Sequence, residues 1–261
     1  MRLDLYLYKN GFSESRQKAK GLLEQGLVMV NGKTVTKSAY EVAQTDEVKL
    51  TGVGLRYVGR GGLKMEGALK AFSYDPSRLV AIDVGASTGG FTDCLLQHGA
   101  KKVFAVDSGS EQLHPRLRED DRVVCIENFN AKQLSIEVIG EPVDLAVMDL
   151  SFISQVCVYP ALVSVLKHGA DVITLIKPQF EAGKAAVGKN GIVKDKKVHE
   201  RVIANVLASA QLQDLYCKKL AVSPITGGDG NIEYLAHFVY GISTSVPDRF
   251  EIHKIVLGEN E

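Results

Sequence analysis

Several features are missing from this sequence, and each absence narrows what it can do. No run of about 18 apolar residues occurs, so no segment is expected to span a membrane. The opening residues place Asp4 where a secretory signal needs an unbroken apolar core, so none is expected there. Cysteine is scarce. Cys94, Cys125, Cys157 and Cys217 form no C-x-x-C pair, and each lies in an apolar run. They are expected to be buried thiols of a reducing compartment, with neither a disulfide frame nor a metal site. Net charge is absent too, with 31 Lys and Arg against 31 Asp and Glu, so any affinity for nucleic acid has to come from local basic patches. There is no internal repeat and no low-complexity segment. What remains is an ordinary globular composition, expected to be cytoplasmic, with 261 residues giving one large or two modest domains.

The stretch that organises the rest is Asp83-Val-Gly85-Ala-Ser87-Thr-Gly89-Gly90-Phe91. Leu79 to Ile82 before it reads as a buried strand, and Phe91 to Gly99 after it reads as a helix. A strand, a glycine turn and a helix N-terminus make a nucleotide-type site at the carboxyl edge of a parallel sheet. The glycine spacing fits neither the dinucleotide fingerprint nor the P-loop. Asp83 closes the strand just before the first glycine; it would repel a pyrophosphate and suits a ligand with positive charge. S-adenosylmethionine carries an ammonium and a sulfonium. Asp107 ends the next strand 22 residues beyond Gly85, the distance at which an acid reaches a ribose diol. Asn128 or Asn130, after the third strand, is placed to touch an adenine edge.

From Leu79 onward strands alternate with helices. Strands are expected at 79–84, 102–107, 122–126, 143–149, 171–177, 217–222 and 234–241, and helices at 91–98, 111–118, 153–167 and 196–211. The fold class is α/β, a doubly wound, mostly parallel seven-stranded sheet behind a small amino-terminal module. Charged residues fall at strand ends: Asp149 after the fourth strand, Lys177 after the fifth, and Glu233 at the start of the last. Such residues converge on one crevice in an open α/β sheet. Lys64 follows a glycine-rich joint at 51–63. The segment 182–197 holds Lys184, Lys189, Lys194, Lys196 and Lys197 with three glycines and reads as a basic, flexible lip able to grip RNA backbone. The tail after Ser243 is mixed, with 250–257 readable as a last strand.

The amino-terminal module is basic, with seven Lys and Arg against three Asp and Glu over 1–40. Two short helices are expected, the second capped by Ser13 and carrying Arg16 and Lys20 on one face. A hairpin turning at Asn31-Gly32 and a strand at 47–50 follow. Arg2-Leu3-Asp4, Gly11, Ser15-Arg16-x-x-Ala19 and Gly26-x-Val28-x-Val30-Asn31-Gly32 resemble the S4 RNA-binding domain along its length. That resemblance implies RNA held by shape and backbone, with Arg2, Arg16 and Lys20 on the binding side.

Arg60-Gly-Gly-Leu-Lys64, the Asp83 glycine turn, Asp149-Leu-Ser151-Phe152, Lys177-Pro-Gln179-Phe-Glu181 and Gly230-Asn231-Ile-Glu233-Tyr234 together resemble the TlyA family, which joins an S4 domain to an FtsJ-type RNA 2′-O-ribose methyltransferase. The resemblance implies a catalytic tetrad of Lys64, Asp149, Lys177 and Glu233, with S-adenosylmethionine held by Asp83, Gly85, Ser87, Gly89, Asp107 and Asn130. Arg60, Lys184 and Lys189 join the S4 residues as RNA contacts. The implied domains are an S4 domain with linker at 1–58, a methyltransferase domain at 59–245 and a tail at 246–261. The implied partner is ribosomal RNA or an assembled subunit, with cytidine of the large-subunit RNA as target. Gly59 stands where the family usually has serine, and Ser108-Gly-Ser-Glu111 departs from its usual Val-Gly-Tyr-Gly. Proteins of this type are often labelled hemolysins, but the sequence offers no spanning segment or strongly amphipathic basic helix to support lysis. A ribosome-docking protein without catalysis is the other alternative.

Overall fold

The computed structural model describes residues 1–13, 15–24, 26–43, 45–50, 56–227 and 230–259. The chain divides into two compact units, Met1–Arg56 and Tyr57–Glu261. Residues 51–55 of the expected joint and 260–261 of the expected tail lie outside the described residues.

In the first unit, α1 (Leu3–Lys9) and α2 (Arg16–Glu24) are followed by β1 (Val28–Val30), β2 (Lys33–Thr34) and β3 (Val48–Leu50). The strands form an antiparallel sheet in the order β2-β1-β3. Asn31 and Gly32 both take positive φ, 50° and 76°, as a type I′ hairpin requires. Leu3, Leu7, Ala19, Leu23, Val28 and Val30 make its core. Ser13 does not cap α2; its hydroxyl donates to the Ser15 carbonyl at 2.9 Å. Asp4 is wholly buried inside this core. Its carboxylate accepts hydrogen bonds from Arg2 at 3.1 and 3.3 Å and from Arg16 at 2.8 Å. The Arg-Leu-Asp triplet is therefore a packing device that ties α1 to α2.

The second unit contains α3 (Gly61–Phe72), β4 (Val80–Val84), α4 (Gly90–Gln97), β5 (Lys102–Val106), α5 (Pro115–Arg118), β6 (Val123–Ile126), α6 (Ile136–Ile139), β7 (Val143–Met148), α7 (Tyr159–Val163), β8 (Leu166–Ile176), α8 (Pro178–Glu181), α9 (Lys196–Gln211), β9 (Leu215–Val222), β10 (Tyr234–Tyr240) and α10 (Arg249–Leu257). The seven strands run in the order β6-β5-β4-β7-β8-β10-β9. Pairing is parallel from β6 to β8, and β10 is antiparallel to both its neighbours. Alternate strand residues feed opposite faces. Ile82, Val84, Phe104, Ala146 and Met148 enter one core, and Ala81, Val103, Ala105, Leu145 and Val147 enter the other. The strand order reverses between the parallel neighbours β4 and β7, which opens a crevice at their carboxyl ends.

The boundaries differ from expectation where local chemistry intervenes. The helix expected over 111–118 shrinks to α5, because Glu127 accepts the backbone N–H groups of Glu111, Gln112 and Leu113 and holds them in a loop. The expected 153–167 helix becomes a single 3-10 turn at Gln155–Cys157 and the short α7, and β8 begins at Leu166. Cys157 is consequently exposed rather than buried. The expected strand at 250–257 is α10. Asp248 accepts from Phe250 N and Glu251 N at 2.8 Å each, and Glu251 accepts from Asp248 N at 2.8 Å, a complete capping box. Ile252 and Val256, four apart, then enter the core. No helix among the described residues is long and apolar enough to cross a membrane.

Burial works to raise the Asp4 pKa, but the hydrogen bonds from Arg2 and Arg16 outweigh it and bring it from 3.8 to about 2. A depressed carboxyl pKa stabilises the fold above its unfolded value and loses that contribution as pH falls through the folded one. Asp4→Asn should therefore destabilise the first unit by roughly 1–3 kcal/mol at neutral pH. Hydrogen exchange at α1 and β1 should show wild-type and variant protection converging as pH falls through about 2.

Candidate active site

The site begins with the alternation of β4. Ile82 and Val84 point into one core, so Asp83 points the other way, toward α4. It is buried there, and its Oδ2 accepts from Thr92 N at 3.0 Å and from Thr92 Oγ1 at 2.7 Å. Its Oδ1 is buried with no hydrogen-bond partner among the described residues. Burial raises its pKa to about 7; the Thr92 hydrogen bonds oppose this, and the charges of Asp149 and Asp107 add to it. After β4 the chain turns with Gly85 at φ 87° and Ser87 at φ 49°. A Cβ on Gly85 would lie 3.0 Å from the Asp149 carbonyl oxygen, so the residue keeps β4 and β7 close at the crevice floor. Gly89 does another job. A Cβ there would strike Leu113 and Leu117, so it permits close packing, and it is absent from the walls of the cavities described below.

Asp107, at the end of β5, accepts from Ser87 N at 2.8 Å and from Gly109 N at 2.7 Å. This locks the glycine turn to the next strand and leaves the acid on the wall of a cavity of about 380 Å³. Gly85, Ser87, Phe129, Asn130 and Asp149 also line it. Asn130 caps a 3-10 turn by accepting from Lys132 N at 3.1 Å. A second cavity of about 180 Å³ is lined by Asp83, Gly85, Ser87, Asp149, Ser151 and Lys177 among others. The two share Gly85, Ser87, Asp149 and Ser151, so one continuous crevice runs from Asn130 to Lys177.

Lys64, Asp149, Lys177 and Glu233 come together at the far end. Lys177 Nζ lies 2.6 Å from Asp149 Oδ1 and donates to Ser151 Oγ at 2.9 Å. Lys64 Nζ lies 3.8 Å from Asp149 Oδ2 and donates to Glu233 Oε2 at 2.6 Å. The charges alternate, ammonium, carboxylate, ammonium, carboxylate. Lys64, Lys177 and Glu233 are 8%, 7% and 2% exposed, burial that long charged side chains tolerate only when paired. Lys64 reaches this point because α3 buries Lys64, Ala68 and Phe72 on one stripe. Helix α3 in turn packs on α4 through glycine: a Cβ on Gly90 would lie 2.8 Å from Gly62 N.

The remaining residues singled out from the sequence fall outside the crevice walls. Arg60 donates to the Thr226 carbonyl at 3.0 Å. Lys184 and Lys189 are exposed on the segment between α8 and α9. Arg2, Arg16 and Lys20 belong to the first unit, where Arg16 and Lys20 are exposed on one face of α2 and the guanidinium of Arg16 is committed to Asp4. Four residues of the site had escaped notice as individuals. Ser151 holds Lys177. Gln179 donates to Glu233 Oε1 at 3.2 Å. Asn231 is 1% exposed just before Glu233. Phe152 is 93% exposed at φ 64°, with its ring 5.2 Å from that of Phe180. Each lies within a motif read from the sequence, but nothing in residue type or spacing marked these four apart from their neighbours.

Three carboxylates on one crevice disfavour a pyrophosphate and accept a nucleoside with a cationic tail. With a seven-stranded sheet in which β10 alone runs antiparallel, fold and crevice define a methyltransferase dependent on S-adenosylmethionine. Residues 57–240 match the FtsJ-like methyltransferase family, and residues 1–48 match the S4 domain. Hemolysin A of Brachyspira hyodysenteriae is 43% identical over 242 residues, covering 92% of this chain and 100% of that one. The 16S/23S rRNA (cytidine-2′-O)-methyltransferase TlyA of Mycobacterium tuberculosis is 42% identical over 234 residues, covering 89% and 87%. A solved structure from Streptococcus thermophilus, provisionally named a hemolysin, has a TM-score of 0.79 at 42% identity and covers 99% of this chain and 94% of that one. The chain belongs to the TlyA family of S4-bearing, FtsJ-like methyltransferases.

Gly85→Ala tests the crevice floor. The substitution forces an L side chain to positive φ, at about 1–2 kcal/mol, and presses on the Asp149 carbonyl. The protein should fold, and calorimetry should show S-adenosylmethionine affinity reduced by about tenfold or more.

Proposed function

We propose that this enzyme methylates the 2′-hydroxyl of a cytidine ribose in ribosomal RNA, on the large subunit, with S-adenosylmethionine as donor. The observation that carries the proposal is the alternating chain Lys177–Asp149–Lys64–Glu233, buried but for the half-buried Asp149, opening onto the Asp83–Asn130 crevice. Carboxylates and ammoniums in that order suit a neutral hydroxyl that has to lose a proton. The name of the Mycobacterium tuberculosis relative supports the same chemistry.

The crevice fits the donor. The partnerless Asp83 Oδ1 offers a buried negative end to a cationic amino-acid tail, and the glycine turn gives a backbone wall without side chains. Asp107 and Asn130 would hold the nucleoside end. When bound, the donor supplies an electrophilic methyl group on a sulfonium. Lys177, once its ammonium has released a proton to solvent, takes the hydroxyl proton as the oxygen bonds to the methyl carbon and the carbon–sulfur bond breaks. Asp149 orients Lys177 and balances the ammonium so formed, while Glu233 fixes Lys64 beside the oxygen. Much of the acceleration comes from alignment.

On the RNA side, Arg2, Arg16 and Lys20 of the S4 domain, with Arg60, Lys184 and Lys189, supply contacts to the phosphate backbone. Phe152 offers an exposed ring on which a base can stack beside Lys177. We assign residues 1–58 to RNA anchoring with its linker and 59–245 to methyl transfer.

The decisive assay is methyl transfer to ribosomal RNA and to assembled subunits, with the product mapped by mass spectrometry. Lys177→Met should lower turnover by about 100-fold or more with donor affinity unchanged. Lys177→Arg should be nearly as damaging, because a guanidinium accepts no proton near neutral pH. Near wild-type turnover in Lys177→Met would overturn the tetrad. Ribosome binding without any methyl mark would favour a docking role, and lysis of red cells by the pure protein would favour the hemolysin name.

Asp83 gives a pH test. A carboxyl raised from 3.8 to about 7 contributes stability that is full below the unfolded value and is lost as pH rises through the folded one. The donor-free protein should thus lose stability between those pH values relative to Asp83→Asn, as read by thermal melts. S-adenosylmethionine affinity should rise with pH through about 7 in the wild type, and this dependence should vanish in Asp83→Asn.

A further inference from the structure

The basic segment between α8 and α9 reads from sequence as a flexible lip, yet the structure builds it. Gly191 N donates to the Gly188 carbonyl at 2.9 Å, and Gly188 N to the Ile192 carbonyl at 3.1 Å, closing a tight turn. Val193, 3% exposed, is gripped on both sides. Its N–H donates to Asn231 Oδ1 at 3.0 Å, and its carbonyl accepts from His199 Nε2 at 2.8 Å. Asn231 Nδ2 also donates to the Gly191 carbonyl at 2.9 Å. Asn231 and His199 are 1% and 3% exposed, while Lys184, Lys189 and Lys194 stand out from this frame into solvent.

Both clasps end beside the tetrad. Asn231 lies two residues before Glu233, in a loop closed by Gly227 N donating to the Asn231 carbonyl and Ser223 N to the Glu233 carbonyl, each at 2.9 Å. His199 faces a carbonyl with Nε2, which therefore donates, and its Nδ1 meets the Tyr234 hydroxyl at 2.8 Å. Tyr234 follows Glu233 and pairs across the ladder with Ile176, which precedes Lys177. The lip is thus fastened to the neighbours of two tetrad members. The chemistry is specific. A side chain gripping both Gly191 and Val193 needs a donor and an acceptor at one tip, which an amide supplies and a carboxylate does not.

Building on the methyl-transfer reading, we propose that Asn231 and His199 are positioning residues that clamp the basic lip to the catalytic strand, so that RNA phosphates held by the lip are placed in fixed register with Lys177, Asp149, Lys64 and Glu233. A free lip would still attract RNA, but each binding event would have to order it, and misplacement of the ribose by about 1 Å costs on the order of 100-fold in rate.

The test uses the full chain with Asn231→Ala, Asn231→Asp, His199→Phe and His199→Gln. Glutamine can donate to the Val193 carbonyl and accept from Tyr234, whereas phenylalanine fills the space and does neither. Trypsin cleavage after Lys184, Lys189 and Lys194 should accelerate by about tenfold or more in Asn231→Ala and His199→Phe. It should rise less in Asn231→Asp, which keeps the Val193 bond, and stay near wild type in His199→Gln. S-adenosylmethionine affinity should hold within about twofold, since the donor crevice is elsewhere. In Asn231→Ala and His199→Phe, kcat on ribosomal RNA should fall by about tenfold or more. His199→Gln should recover it. The proposal is overturned if the lip stays resistant in both disruptive variants, or if it is freed while kcat is kept. Should Asn231→Ala not fold, the His199 pair decides alone. If the wild type itself methylates no RNA, the proposed function fails, and with it the register claim; the cleavage pattern then reports on the clasp independently.

Discussion

The active end of the second unit depends on one ion pair. Lys64 and Glu233 meet at 2.6 Å across 169 positions of sequence, both nearly out of water. Lys64 sits in the first turn of α3, where the helix dipole disfavours a cation, and no acid in that turn relieves it. Glu233 supplies what the helix does not. Removing one partner of such a pair leaves a buried charge exposed to nothing, at about 3–5 kcal/mol, yet an apolar pair of the same volume would hold the fold as well. Stability alone does not call for two ammoniums and two carboxylates in a row here; the proposed proton transfer does.

The pair can form because glycine lets two helices approach. Gly61 and Gly62 at the start of α3 lie against Gly90 at the start of α4, with no room for a Cβ between Gly90 and Gly62. The glycine turn after β4 and the lysine of α3 are therefore fixed by the same contact. Arg60, one residue earlier, reaches the loop that ends in Glu233 through the Thr226 carbonyl. The glycine turn and the row of charges are parts of one packing solution.

Much of this was legible in the sequence. Apolar runs located the central strands, because parallel strands buried on both faces read as continuous apolar segments. The strand-end charges pointed to the crevice because topology alone brings such ends together. What escaped was decided by side chains bonding to backbone over long separations. Glu127 unravels the start of an expected helix from 16 residues away. The Asp248 cap turns a plausible alternation into α10. Asn231 turns a lysine- and glycine-rich stretch into a fastened turn. Arg16 counts as a surface charge in the sequence, but one of its guanidinium nitrogens donates at 2.8 Å to a buried acid in another helix, and charge counting does not reveal such commitments.

The order of strands carries a consequence for how the enzyme comes into being. β10 is laid between β8 and β9 and is the last strand made. As a chain emerges from the ribosome, the parallel half from β4 to β8 can collapse early, with the glycine turn and Asp149 already in place. Glu233 and Tyr234 arrive with the final hairpin, which has to enter against β8 before α9 and the lip are secured. Non-local pairing of this kind is slow. Until β10 is made and docks, Glu233 cannot meet Lys64, and the row of charges lacks its last member. Topology acts here as a clock: competence is conferred last, by the strand that completes the sheet.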